Sequence, residues 1–275
     1  MKVEVKAIVI TGYGANCEVE MAQACRLGGA EQVDIVHLSE LLHGRYRLDD
    51  YHLLNLAGGF LDGDDLGAGQ AGAHRWLYAR VQPGGETISD QLFRFIKAGK
   101  LVIGVCNGFQ LMVKIGLLPG FDHHYNRRLV SLIHNDSSRF ENRWVHLQVD
   151  PNSPCVFTRG LEQLYLPVRH GEGKFIAADA AVFHRLKDNN QIALRYIHPQ
   201  SGEATTGYPW NPNGSPEGVA GICDPSGRLL GLMPHPEAFL HRTNHPRWTR
   251  EELPEEGQGV ALFRNGINFI RENLR

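Results

Sequence analysis

Short apolar, β-branched runs alternate with amphipathic stretches through the first 116 residues, and no other feature narrows the fold as far. Residues 3–10, 33–38, 51–57 and 101–105 have the length and composition of strands. Helices are expected between them, over 18–27 and over 87–98, where Ile88, Leu92, Phe95 and Ile96 fall roughly on one face. A strand that is followed by a helix returns to its sheet in parallel, so the expectation is an α/β fold with a mostly parallel central sheet flanked by helices. Residues 128–150, 191–197, 219–223 and 228–233 are richer in strand than helix and predict an antiparallel β extension of the same domain. From Gln258 onward, Val260, Phe263, Ile267, Ile270 and Leu274 recur at helical spacing and place one stripe of a closing helix on the core. Residues 199–218 and 241–257 are dense in Pro, Gly, Asn and charge and are expected to run over the surface. The 275 residues contain no internal repeat and read as a single domain spanning 1–275.

Composition removes several function classes. With 28 Lys and Arg against 30 Asp and Glu, there is no basic excess for a nucleic acid. No apolar run approaches the ~18 residues of a spanning helix, and the opening residues alternate like a strand instead of ending in a cleavage site, so a cytoplasmic protein with no membrane partner is expected. The five cysteines are odd in number and form no CxxC pair, against a disulfide framework and against a structural zinc site.

One of the five stands at a strand-to-helix junction. In Gly104-Val105-Cys106-Asn107-Gly108 the glycines lie two before and two after the cysteine, the pattern of a nucleophile elbow with Cys in place of Ser. A sharp turn crowds the chain, and side-chain-free positions relieve that crowding while the nucleophile is held in a strained conformation. At a helix N-terminus the exposed N–H groups favour a thiolate, which a thiol of ordinary pKa ~8.5 scarcely forms at neutral pH. The alternative for Cys106 is that of a small buried residue at a strand end. Cys155 and Cys223, without flanking glycines, read as structural; Cys17 either lines the site or caps the first helix, with packing the preferred role.

Near the end, Pro234-His235-Pro236-Glu237 follows an apolar run. In an extended segment His235 and Glu237 would point to one side and hydrogen-bond, fixing the tautomer that leaves the other ring nitrogen free to take a proton from Cys106. With the elbow, the pair completes a Cys-His-Glu triad; no His-x3-His or Cys/His cluster suggests a metal instead.

After the third strand, residues 58–69 hold five glycines at the carboxyl end of a parallel strand, where α/β folds bind ligands. Backbone N–H groups of this loop and of Asn107 are candidates for an oxyanion hole, each worth roughly 3 kcal/mol of barrier. A phosphate loop is a poor rival, since no GxxxxGK[ST] occurs and Asp62, Asp64 and Asp65 would repel phosphate. A tight surface turn is the bland alternative.

These residues resemble the triad, or class I, glutamine amidotransferases, and within them the glutaminase component of phosphoribosylformylglycinamidine synthase. The resemblance spans nearly the whole chain: Gly14-Ala15-Asn16-Cys17-Glu18, the 58–69 loop, the elbow continuing to Phe109-Gln110, Pro167-Val168-Arg169-His170-Gly171-Glu172-Gly173, Asn211-Pro212-Asn213-Gly214-Ser215 and Met233-Pro234-His235-Pro236-Glu237. The elbow and the His-x-Glu are shared widely, whereas HGEG and NPNGS between them point to the purine enzyme. The resemblance implies L-glutamine hydrolysis by Cys106, His235 and Glu237, with Gly58, Gly59, Phe60, Asn107, Gln110 and His170 forming the oxyanion and substrate-binding group. It also implies a separate ATP-dependent synthetase subunit that receives the ammonia and carries ATP and Mg, with a small accessory subunit beside it, and no cofactor in this chain. Two stretches depart from the pattern. Leu61-Asp62 stand where the family loop commonly has Ser-Tyr or Ser-Phe, and residues 241–257 match none of its motifs. Two competing readings are a cysteine hydrolase or peptidase on a related scaffold and an inactive, partner-binding subunit.

Overall fold

The computed structural model describes residues 3–274. Among these residues eleven strands run in chain order: β1 Lys6–Thr11, β2 Gln32–His37, β3 Leu53–Leu56, β4 Leu101–Val105, β5 Val130–Ile133, β6 Glu141–Val149, β7 Gln163–His170, β8 Lys174–Ala177, β9 Leu194–Tyr196, β10 Val219–Cys223 and β11 Leu229–Leu232. The helices are α1 Glu18–Gly28, α2 Leu38–Leu42, α3 Gln70–Tyr78, α4 Ile88–Lys97, α5 Asn107–Ile115, α6 Ala180–Asp188 and α7 Val260–Asn273. Nine strands form one sheet in the order β2-β1-β3-β4-β11-β10-β9-β6-β7, while β5 and β8 pair separately.

The first five strands of that order are parallel and the rest antiparallel, as the change from alternating to strand-rich sequence predicts. One assignment is corrected. Residues 228–233 were expected in the antiparallel extension, but β11 pairs parallel with β4, Val105 opposite Leu232, and antiparallel only with β10. It closes the parallel half because its residues are all buried and fit a position covered on both faces.

The strand order turns back between β1 and β3, the point at which crossovers change direction. Right-handed crossovers therefore send α1 to one face and α3, α4 and α5 to the other. On the first face α1 packs against α7; on the second, α3 packs on α4 and α5. Val260, Phe263, Ile267 and Ile270 of α7 are buried, the stripe expected from their spacing. At α4, Thr87 and Asp90 form a reciprocal capping box that fixes its start.

Three further segments differ from the simplest reading of their composition. β7 contains Pro167, a residue that argues against a central strand, and lies at the sheet edge where a missing N–H is tolerated. The 199–218 stretch is not wholly on the surface: Asn211, Asn213 and Ser215 are buried, and Asn213 and Ser215 bond each other. His245, within 241–257, is also buried, packed edge-on against Trp144.

Candidate active site

Four chain segments leave the carboxyl ends of neighbouring parallel strands and meet: the loop after β1, the glycine loop after β3, the elbow after β4 and the turn after β11. Each brings one part of the site.

The elbow carries Cys106 at φ 53°, ψ −106°, a strained conformation for a residue with a side chain. Its glycines are dictated by contact. A Cβ on Gly104 would lie 2.7 Å from the Gly108 carbonyl oxygen, and one on Gly108 would lie 2.0 Å from that of Leu56. The Cys106 N–H donates to Leu232 O across the β4–β11 pair at 2.8 Å, and its carbonyl accepts from Gln110 N–H, so the residue caps α5 while tied to the strand that leads to His235. The side chain is 4% exposed, and its thiol is directed at the carbonyl of Arg169, 3.5 Å away.

His235 and Glu237 are brought together, although not by an extended segment. Pro236–Ala238 closes a tight turn with His235 at its start, and the turn, rather than strand alternation, puts the carboxylate beside the ring. Nδ1 lies 2.5 Å from Glu237 Oε1, and His235 N–H donates to Pro167 O of β7. Nε2 has no hydrogen-bond partner among the described residues. Burial opposes a charge on this ring, but Glu237 and the nearby Cys106 outweigh it and hold the His235 pKa well above its ordinary value. The ring thus has a carboxylate on one edge, which favours its taking up a proton, and an unpartnered nitrogen on the other.

In the glycine loop, Asn16 N–H donates to Gly58 O and Phe60 N–H to Gly14 O, flanking the bridge between Ala15 and Gly59. The Phe60 N–H is therefore spent on the loop itself, whereas that of Gly59 takes no part in these bonds. Gly59 has φ 133°, open only to glycine, and a Cβ there would strike Gly14 O and Asn16 N. The Phe60 ring is half exposed and faces Phe140.

Asn107 and Gln110 hold the loop down. Asn107 Oδ1 accepts from Leu61 N–H at 2.8 Å, and its Nδ2 donates to Asp64 and to Gln110 Oε1. Gln110 Nε2 donates in turn to the carbonyl of Glu172, whose carboxylate accepts from Ala68 N–H. Burial, with Glu172 nearby, pushes Asp64 up to about 6. The Leu61-Asp62 departure is accommodated locally: Leu61 fills the space beside Gly12 and Gly72, and Asp62 pairs with Arg75 at 3.0 Å.

His170 is buried at the end of β7, and its Nε2 meets Asn213 Nδ2 at 3.2 Å. Burial first, and then the charge of His235, lower its pKa to about 3, so this ring is neutral. The HGEG and NPNGS motifs are joined by this contact. Sequence reasoning gave no role to Glu172 or Asn213, although both lie in motifs it had singled out. It also preferred packing for Cys17, which makes no capping bond and instead places Sγ 3.8 Å from His235 Nδ1. Cys17, His235 and Glu237 offer three ligating atoms within 4.8 Å of one another, a grouping that no linear motif announces.

The profile of the CobB/CobQ-like glutamine amidotransferase domain matches residues 4–270. A phosphoribosylformylglycinamidine synthase subunit PurQ from Methanococcus maripaludis is 42% identical, the match covering 99% of this chain and 100% of the relative. One of the same name from Dehalococcoides mccartyi is 40% identical over 98% and 99%. Among solved structures, a chain of PurLQS from Thermotoga maritima superposes with a TM-score of 0.70 at 28% identity, covering 98% of this chain and all of that one.

Proposed function

The chain belongs to the CobB/CobQ-like glutamine amidotransferase family, and from that premise we propose that it is the glutaminase subunit of phosphoribosylformylglycinamidine synthase, acting in purine biosynthesis. The observation that carries the chemistry is the convergence of the strained Cys106 with the buried His235–Glu237 pair at the ends of adjacent strands.

In this reading Cys106 turns from the Arg169 carbonyl towards Nε2 of His235, gives that nitrogen its thiol proton and attacks the side-chain amide carbon of L-glutamine. A thiol aimed elsewhere before substrate binds is compatible with this, since catalytic hydrogen bonds often tighten only in the complex. The N–H groups of Gly59 and Asn107 stabilise the tetrahedral oxyanion. His235 protonates the departing ammonia, and water then hydrolyses the γ-glutamyl thioester with the same histidine as base. Gln110 and Glu172 keep the loop over the elbow, and His170 braces the wall through Asn213. The ammonia passes to a synthetase subunit, where ATP and Mg would act, with an accessory subunit completing the assembly in the cytoplasm. No helix among the described residues is long and apolar enough to cross a membrane.

Cys106→Ala should abolish glutamine-dependent amidine formation in the reconstituted complex while leaving ammonia-dependent formation intact. Retention of full glutaminase activity by that variant would refute the assignment. A peptidase on the same scaffold predicts turnover of peptides or esters by the wild-type chain and none of glutamine.

A further inference from the structure

The loop after β1 does more than pack beneath the site. Cys17 stands at the start of α1, yet its side chain caps nothing. Its backbone is clamped to the glycine loop: the N–H groups of Asn16 and Cys17 both reach Gly58 O, at 3.0 and 3.4 Å. The clamp leaves the sulfur beside the same imidazole nitrogen that bonds Glu237. Gly58 completes the fit, because a Cβ there would lie 3.0 Å from His235 Cε1 and 3.4 Å from Cys17 Sγ. His235 thus has Cys17 and Glu237 on its Nδ1 edge, and a glycine where any larger residue would press on both.

We propose that Cys17 is a positioning residue, its sulfur accepting a share of the Nδ1–H that His235 donates to Glu237 and so fixing the ring for Cys106. This rests on His235 serving Cys106 as proposed above. The sulfur serves here as an acceptor, since Glu237 takes the short bond from Nδ1–H and the sulfur lies 3.8 Å from the same nitrogen. Burial, followed by Glu237, raises the Cys17 pKa, so the thiol stays protonated and does not compete as a nucleophile. The titratable groups facing His235 are Glu237 from its own turn, Cys17 from the head of α1, Cys106 from the elbow and His170 from β7. Cys17 and Cys106 therefore approach one ring in different roles, one on the edge that is held and one on the edge that reacts.

The test uses the full chain and a glutamine analogue bearing a halomethyl ketone, with labelling at Cys106 followed by peptide mass spectrometry across pH. Cys17→Val keeps the bulk and removes the acceptor; Cys17→Ser keeps an acceptor. The Val variant should label Cys106 several-fold more slowly, with the alkaline limb moved about half a pH unit or more towards acid, because a proton on His235 has lost a partner. The Ser variant should stay within about twofold of wild type. The downfield proton resonance of Nδ1–H should weaken in the Val variant and persist in the Ser variant. Wild-type profile and resonance in the Val variant would overturn the proposal, as would equal impairment of both variants, which would mark a packing role alone. If the Val variant does not fold, Cys17→Ala takes its place with the same readings. Failure of the parent reading is distinguishable, since it would appear as glutaminase activity surviving in Cys106→Ala.

Discussion

An imidazole buried as deeply as His235 can take up a proton only because a carboxylate is bonded to it. Glu237 is 1% exposed and has one oxygen on His235 Nδ1 and the other without a partner among the described residues. Replacing it by Gln keeps an acceptor for Nδ1–H but removes the charge that offsets burial of the imidazolium. Glu237→Gln is expected to lower kcat for ammonia release by roughly two to four orders of magnitude, as loss of the orienting carboxylate does in related triads. Steady-state glutaminase assays of the reconstituted complex check this, and a fall of less than about tenfold would argue against an ion pair at the centre of the site. At this scale the sequence was readable wherever partners are close in the chain. Cys106 was visible from its glycines, and Glu237 from its position two residues after His235. The Cys17–His235 contact joins residues 218 positions apart, and no periodicity encodes such a meeting.

The elbow shows how a secondary-structure junction stores its own requirements. Gly108 approaches Leu56 O so closely that any side chain must push α5 away from β3 or open the turn at Cys106. Gly108→Ala should therefore destabilise the fold by about 1–3 kcal/mol and lower the labelling rate of Cys106 more than the stability loss accounts for, readable by urea denaturation beside electrophile labelling. A variant of wild-type stability and reactivity would show that the approach is relieved at no cost. Elements that repeat one local rule were legible: the four early strands, α4 and α7 fall within a few residues of where alternation and helical spacing place them. β7 was not, because Pro167 and the charged Arg169 break its alternation and only an edge position makes them acceptable. The tight turn after His235 was hidden for a related reason, since two prolines are as compatible with an extended segment as with a turn.

Over the whole molecule, the loops above the sheet are joined by polar contacts, and one of these involves a carboxyl whose charge state depends on pH. Asp64 is the clearest case, a half-buried carboxyl bonded to Asn107 in the loop and raised to about 6. Its folded-state pKa lies above the unfolded value of ~3.9, so the proton is held more tightly in the fold. The stabilisation this gives is complete below about pH 4 and is lost as pH rises through 6. Asp64→Asn, which keeps the acceptor for Asn107, should be more stable than wild type by about 1 kcal/mol at pH 7.5 after allowance for solvent screening, with the gain vanishing near pH 4. Urea midpoints measured across that range would expose a pH-independent difference, which this account does not permit. The burial of Asn213 beneath His170 escaped the sequence for a reason of the same scale: a segment rich in Pro, Gly and Asn reads as surface until another wall of the molecule closes over it.

Val105 and Leu232 face each other across β4 and β11, and the nucleophile and its histidine emerge one and three residues beyond that rung. Their spacing is therefore inherited from backbone ladder bonds, among the stiffest links a protein has. A partner subunit cannot pull such a pair apart or push it together without unzipping the centre of the sheet. The glycine loop is held differently: beyond its backbone bonds to the loop after β1, its far end rests on a few side-chain bonds from Asn107, Gln110 and Glu172, and it is the part of the site that can yield without disturbing the sheet.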